Sequence, residues 1–395
     1  MNWDIILAIV FYGLIIWFFL KTRDRWEVHG SLVGLYRTQL GLNLMGKIAK
    51  NFPKLLRFLS GISVFLGFAG MAFIMYYFVA GTYTLITVPK AVPALAPILP
   101  GIKIPGLPVL GFWHSIIAIF LVAVVHEFSH GVFSRLYNVK IKSSGFAFFG
   151  PILGAFVEPD EKNLLKKSTF HQLVVFSAGA FSNVLLAVVF LLILNFVTAP
   201  AYSYFYEGTG MQVNNVLPDN PAAVAGLVAP ITVSSINNMR TTNFVEFVNA
   251  TRDIKPGDNV VLSTDKGIYT VIAIENPDNK SKGFIGISDF ELDMQIKNEI
   301  KGKIGTFIPG ALVWLHMLVF WIFVVSFGVG LFNLLPLGPI DGGRMFYTAI
   351  KHYVKDEVKA KKIFGSVTLL CLLLIFINII PYLWKLFVWI SRLFI

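Results

Sequence analysis

A single cysteine, Cys371, stands among the 395 residues of this chain. No intramolecular disulfide can form, so any part lying outside the cytoplasm must be held by packing alone. Charge is nearly as scarce: Asp, Glu, Lys and Arg make up 14% of the residues against 56% hydrophobic. With a mean hydropathy of +0.71, that balance excludes an ordinary soluble globule of this length. Acidic residues are the scarcer sign, 22 against 33 basic, for a net charge of +11. The excess does not mark a nucleic-acid binder, because the basic side chains sit beside apolar runs, where the positive-inside rule accounts for them. The amino-terminal run 5–20 lacks a basic leader and a small-residue cleavage site, and positive charge follows it, so it reads as a retained anchor.

What the chain has in abundance is long apolar runs. Stretches 5–20 (short), 58–88, 111–125, 173–197, 304–335 and 363–384 are candidates to cross about 30 Å of hydrocarbon. The expected fold is an α-helical polytopic membrane protein of about six spans, with a membrane-associated β-hairpin and an inserted α+β domain. Eight basic residues between Lys21 and Arg57 put that segment in the cytoplasm and the amino terminus outside. Alternation then places 140–167 and 344–362 inside and 206–303 outside, in a multi-pass protein of the cell membrane. Residues 141–157, rich in Phe, Ile and Gly with Gly150-Pro151 in the middle, suit two strands and a turn better than a helix.

From Glu207 to about Asp289 the composition changes to acidic residues, Asn and short β-type runs, namely 259–263, 268–273 and 284–287. Asn243 and Glu246 are spaced to cap a helix ending near Arg252. The stretch NNVLPDNPAAVAGL at 214–227, followed by SINN at 235–238, resembles the signature of prokaryotic PDZ domains. Such domains take an extended peptide or a free carboxyl terminus by strand addition. The expected divisions are 1–110, amino-terminal spans with the basic segment; 111–200, first half of a membrane core; 201–300, the PDZ-like domain outside the cytoplasm; 301–350, second half of the core; and 351–395, a last span.

The chemistry begins at the pentapeptide HEFSH, His126 to His130, which closes the run 111–125. Ionisable groups at membrane depth are costly, and are tolerated mainly where they bind a metal, pair with each other or line a wet cavity. A helix turns about 100° per residue, so His126 and His130 share one face and can reach one ion, with Glu127 beside them. Zinc prefers four ligands, two imidazoles supply half, and a third protein ligand and a water would complete the set. The ion would lower the pKa of that water and Glu127 would take its proton, which is hydrolytic chemistry. Candidates for the third ligand are Glu158, Asp160, Glu161, His171, His316, His114 and Asp341. His114 is about 18 Å up the same helix and cannot join. His316 suits packing or hydrogen bonding, His171 the membrane surface, and the three acids a solvated loop. Asp341 lies in NLLPLGPIDGGR, 333–344, where prolines stop a span and Gly342-Gly343 allow a tight fold. By the count of spans this turn emerges on the same side and at similar depth as HEFSH. A ligand and an ordinary helix-ending turn are both compatible with its spacing.

HEFSHG in a span, FSAGAFSN at 176–183, an inserted PDZ-like domain and NLLPLGPIDGG together resemble the site-two protease family of intramembrane zinc metalloproteases, over most of the chain from about Gly111 to Arg344. The resemblance implies Zn2+ held by His126, His130 and Asp341, with Glu127 as catalytic base. It maps the family's G-x-x-x-N onto Gly179 and Asn183, near the substrate or the developing oxyanion; Ala180 stands where many members have proline. It also implies that hairpin 141–157 pairs with an unwound substrate segment. The implied activity is cleavage of transmembrane segments of other proteins near the cytoplasmic side, in regulated intramembrane proteolysis. The rival expectation is a non-catalytic membrane scaffold or quality-control binder with a structural metal and a peptide-binding PDZ-like domain.

Overall fold

The computed structural model describes residues 3–29, 33–89, 91–101, 104, 106–149, 152–277 and 279–391. It divides into two compact units, Met1–Leu194 with Met317–Ile395, and Asn195–His316.

The first unit opens with α1 (Trp3–Lys21), strands β1 (Trp26–His29) and β2 (Val33–Thr38), the amphipathic α2 (Leu42–Asn51) and the long α3 (Pro53–Thr87). Pro53 begins α3 at a position where its missing N–H has no helical partner to lose. Helix α4 (Phe112–Leu136) carries HEFSH. The polar residues after Val125 suggested that the span ends there, but the helix runs through them to Leu136. It stops where Asn138 takes a left-handed φ of 54° and the Val139 N–H closes onto the Ser134 carbonyl at 2.8 Å.

Strands β3 (Ile141–Phe149) and β4 (Ile152–Pro159) follow, as the composition of 141–157 suggested. The Gly150-Pro151 turn expected between them lies outside the described residues. They do not stand alone: β1 and β2 join them in one antiparallel sheet of order β1-β2-β3-β4. Arg37 on β2 ties the sheet across, donating to Glu27 on β1 at 2.6 Å and to Glu158 on β4. The turn α5 (Glu161–Leu164) leads into α6 (Thr169–Ile193), which Ser168 caps through its hydroxyl.

The second unit begins at Asn195 and contains α7 (Ala199–Phe205), β5 (Tyr206–Val216), α8 (Pro221–Val224), β6 (Ile231–Ile236), β7 (Met239–Arg240), α9 (Phe244–Arg252), β8 (Asn259–Thr264), β9 (Gly267–Ile272), β10 (Ile274–Asn276), β11 (Asn279–Phe284), β12 (Ile287–Ile296) and α10 (Asn298–Ile304). Its main sheet has the order β12-β5-β6-β8-β9, with β7 paired to β6, and β10 and β11 form a separate ribbon. Asn237 and Asn238, both at positive φ, make the tight turn between β6 and β7. Asn243 caps α9 as its spacing suggested, accepting from the Glu246 N–H at 2.9 Å, while the Glu246 carboxylate reaches back to the Thr242 N–H at 3.0 Å. The run 284–287 is not one strand: Gly286, at φ 82°, separates the end of β11 from the start of β12.

Helices α11 (Phe307–Phe332), α12 (Asp341–Tyr353) and α13 (Glu357–Ser391) complete the chain. Among the described residues, five helical stretches are long and apolar enough to cross a membrane: Pro53–Thr87, Phe112–Leu136, Thr169–Phe205, Phe307–Phe332 and Glu357–Lys385. The first apolar run, expected as a sixth span, gives a shorter described helix, Ala8–Lys21. The chain is therefore a polytopic membrane protein with β elements.

Polar residues hold the membrane helices together where apolar contact alone gives no net drive to associate. Ser63 on α3 pairs with Ser177 on α6 at 3.0 Å, Tyr137 after α4 donates to Ser60 on α3 at 2.8 Å, and Ser129 on α4 donates to the Ala178 carbonyl of α6 at 2.9 Å. Around them α2, α4 and α6 pack through Leu42, Met45, Val132, Phe133, Val174 and Ala178. This lock of α4 on α6 positions the site.

Candidate metal centre

Residues of α4 and the start of α12 meet over α6. His126 and His130, four apart on α4, turn their Nε2 atoms toward each other at 3.2 Å. Asp341 is the first residue of α12, so the N-terminal dipole of that helix favours its ionised form. Its Oδ2 stands 3.0 Å from His126 Nε2 and 3.1 Å from His130 Nε2. The turn that delivers it is closed by a 2.6 Å bond from the Gly342 N–H to the Asn333 carbonyl, and a Cβ on Gly342 would lie 2.3 Å from the Leu334 carbonyl carbon. The two readings of Asp341 are therefore compatible: the residue that ends the turn also faces both imidazoles.

These three donors fit a cation such as zinc. His130 Nδ1 lies 2.7 Å from the Val175 carbonyl, which can only accept, so in the neutral ring that nitrogen carries the proton and Nε2 keeps its lone pair. That lone pair faces a carboxylate oxygen and a second imidazole nitrogen, an arrangement a cation satisfies. A tetrahedral ion with ligands at about 2.0 to 2.1 Å holds them about 3.3 Å apart, within a few tenths of an ångström of the spacings here. Gly179 on α6 completes the fit: a Cβ there would stand 2.4 Å from both His126 Nε2 and His130 Nε2. Only a residue without a side chain leaves that volume open.

Asn183, one turn further along α6, is wholly buried with its amide 3.0 Å from His126 Nδ1, and its Oδ1 has no hydrogen-bond partner among the described residues. With the amide turned over, Oδ1 accepts from Nδ1–H, the setting that commits the Nε2 lone pair to a metal. Glu127 is half-buried, one residue round the helix. Its Oε2 accepts from the Val157 N–H of β4 at 2.9 Å, and its Oε1 has no hydrogen-bond partner among the described residues. That contact was not legible in the sequence, because it joins residues 30 apart.

The other ligand candidates go elsewhere. Glu158 is engaged by Arg37, Ser143 and Lys142. Burial pushes its carboxyl up, but the hydrogen bonds from Arg37 and Ser143 outweigh this and hold it below the usual carboxylate range. Asp160 caps α5 by accepting from the Asn163 N–H, and Glu161 pairs with Arg344 at 3.4 Å. His171 stacks on Tyr137 with ring centres 4.0 Å apart. His316 bonds to Thr198 at 3.0 Å and stacks on Tyr202, the packing role expected of it. Among the described residues, His126, His130 and Asp341 form the one group of three His, Cys, Asp or Glu residues able to hold a metal ion.

Fold and site together define a multi-pass membrane protein with a candidate metallohydrolase centre among its helices. The family model of peptidase family M50 matches residues 114–376, and the chain belongs to that family, the site-two proteases. The match takes in HEFSH, the glycine of α6 and Asp341. An uncharacterised protein of Methanocaldococcus jannaschii is 27% identical, over 97% of this chain and 100% of the relative. A Clostridium perfringens protein named "Putative zinc metalloprotease" is 26% identical, over 63% of this chain and 86% of the relative.

Proposed function

We propose that this chain is an intramembrane zinc endopeptidase that cuts transmembrane segments of other membrane proteins. The observation that carries the proposal is the convergence of His126, His130 and Asp341 above Gly179, with a free carboxylate oxygen of Glu127 beside them. His126, His130 and Asp341 would hold Zn2+, which when bound polarises a carbonyl and lowers the pKa of a water. Glu127 takes the proton of the attacking water through Oε1, then gives it to the leaving amine, while the Val157 N–H fixes the carboxylate through Oε2. The Val175 carbonyl and Asn183 hold the two imidazoles in the tautomer that ligation needs. Gly179 and Asn183 border the substrate side of the centre, and Gly179 leaves room for the scissile carbonyl.

A peptide bond inside a helix is shielded, so a spanning substrate must unwind locally and find new partners for its backbone. β4 is the last strand of its sheet and offers such partners by strand addition. In this reading the chain lies in the cell membrane with the centre toward the cytoplasm, and the inserted unit is an extracytoplasmic PDZ-like domain. That domain receives a peptide or a new carboxyl terminus, or excludes bulky ectodomains, and the cut serves regulated intramembrane proteolysis. The test is cleavage of a model spanning substrate by the full chain in lipid vesicles. Cleavage that a chelator stops and zinc restores supports the reading; binding without cleavage would support a scaffold instead.

A further inference from the structure

A cavity of about 130 Å³ lies directly against Glu127, lined by both β4 and α4. Its walls are Met45, Val124, Phe128, Phe146, Ala155 and Phe156. Little of its lining is polar: the Ser144 hydroxyl donates to the Leu40 carbonyl at 2.7 Å, and the Glu127 carboxylate accepts from the Val157 N–H through one oxygen and leaves the other facing the site. An apolar cavity of about 150 Å³ takes a benzene ring and stays dry without one, so this slightly smaller one fits a branched aliphatic side chain. An acidic side chain would meet the Glu127 carboxylate in it and find no cation to pair with.

The position of the cavity gives it a role. The Val157 N–H points to Glu127 and not to β3, so by the alternation of a strand Ala155 and Leu153 turn their backbone groups to that same outer side. A segment laid along this side runs past Glu127 with its backbone on β4 and one side chain over the cavity. We propose that this cavity is the specificity pocket for a substrate residue flanking the scissile bond, and that it selects an aliphatic side chain of valine or leucine size over glycine, aromatic and acidic residues. The inference rests on the peptidase reading and adds what the enzyme selects.

The experiment uses the full chain in zinc-containing lipid vesicles and a panel of spanning substrates carrying a guest residue at each position around the cut. Products are mapped by mass spectrometry, and affinities of the same peptides for the zinc-depleted protein are measured beside them. At one position, leucine should exceed glycine in kcat/KM by about 10- to 200-fold, the range a hydrophobic pocket supplies. Ala155→Leu, which fills the cavity, should reverse that order in both readouts. Val124→Ala, which widens it from the opposite wall, should admit phenylalanine and keeps the proposal testable if Ala155→Leu does not fold. Cleavage by wild type with no positional preference, or the same order of preference in the variants, would overturn the pocket and leave the peptidase standing. A wild type that binds but cuts no substrate would overturn the peptidase reading, while the affinity order still decides whether the pocket exists.

Discussion

The two units of this chain solve burial in opposite ways. In the inserted unit the interior is apolar: Met211, Val213, Ile231, Val233, Ile236, Val260 and Leu262 fill it, and the capping and turn residues stay at its margin. In the membrane unit the lipid-contacting surface is apolar, with Phe58, Phe65, Phe73, Leu185 and Leu369 exposed, while His126, His130, Asn183, Ser63 and Ser177 are buried. Hydrophobic burial drives the first arrangement in water. In lipid that drive between helices vanishes, so a buried polar group stays only where it bonds a neighbour, a metal or a substrate. Polarity is therefore kept to the margin in one unit and brought inside in the other, where it ties helix to helix and gathers the candidate site.

The sharpest way to break the comparison is to remove a ligand. His126→Ala should abolish both zinc binding and cleavage in the membrane unit while the inserted unit keeps its fold, as judged by metal content and by protease resistance of residues 195–316. Gly179→Ala should do nearly the same without touching a ligand, because its Cβ would stand 2.4 Å from both Nε2 atoms; wild-type zinc content in that variant contradicts the packing argument. Glu127→Gln separates binding from chemistry: zinc stays and cleavage falls by about 10²- to 10⁴-fold, the usual worth of a general base. A variant that still cuts at the wild-type rate removes Glu127 from the mechanism.

Asn183 gives a smaller and more informative effect. Asn183→Ala should weaken zinc affinity by about 10- to 100-fold, the usual cost of losing a partner behind a metal-bound histidine. Titration against a competing chelator measures this, and an unchanged affinity would assign Asn183 to the substrate alone. The converse test lies in the other unit. Leu262→Ala, in the apolar core, should cost about 2–5 kcal/mol of that unit's stability and leave zinc content unchanged.

How far the sequence revealed each unit follows the same division. HEFSH was legible because both histidines lie on one helix at a spacing that needs no tertiary information. Gly179 and Asn183 were legible only through resemblance, since nothing local says that a glycine on α6 must clear space for histidines on α4. Asp341 was half-legible: its turn residues were plain, but its meeting with α4 is a tertiary fact. The strands β1 and β2 were missed because WEVH and VGLYRT are short and carry Glu27 and Arg37 in a basic segment. Their charges make sense only once Arg37 reaches Glu158 across the sheet. The proline-rich stretch before α4 was likewise silent. Leu110 there is 1% exposed, and the Ala94 N–H donates to Asn378 of α13 at 2.7 Å, so irregular backbone is satisfied by a side chain 284 residues away. In the inserted unit, cap and turn chemistry are local, and α9 and its cap were expected nearly as they occur.

The most direct test of the central claim is the zinc bound per chain by purified wild type and by Asp341→Ala after equilibration with the metal. The middle of one helix and the start of another, far apart in sequence, should grip one ion, so wild type should carry one zinc and Asp341→Ala should lose it along with any cleavage. Equal zinc in the two proteins, with cleavage unimpaired, would show that the aspartate is not a ligand and that the centre described here is not the catalytic one.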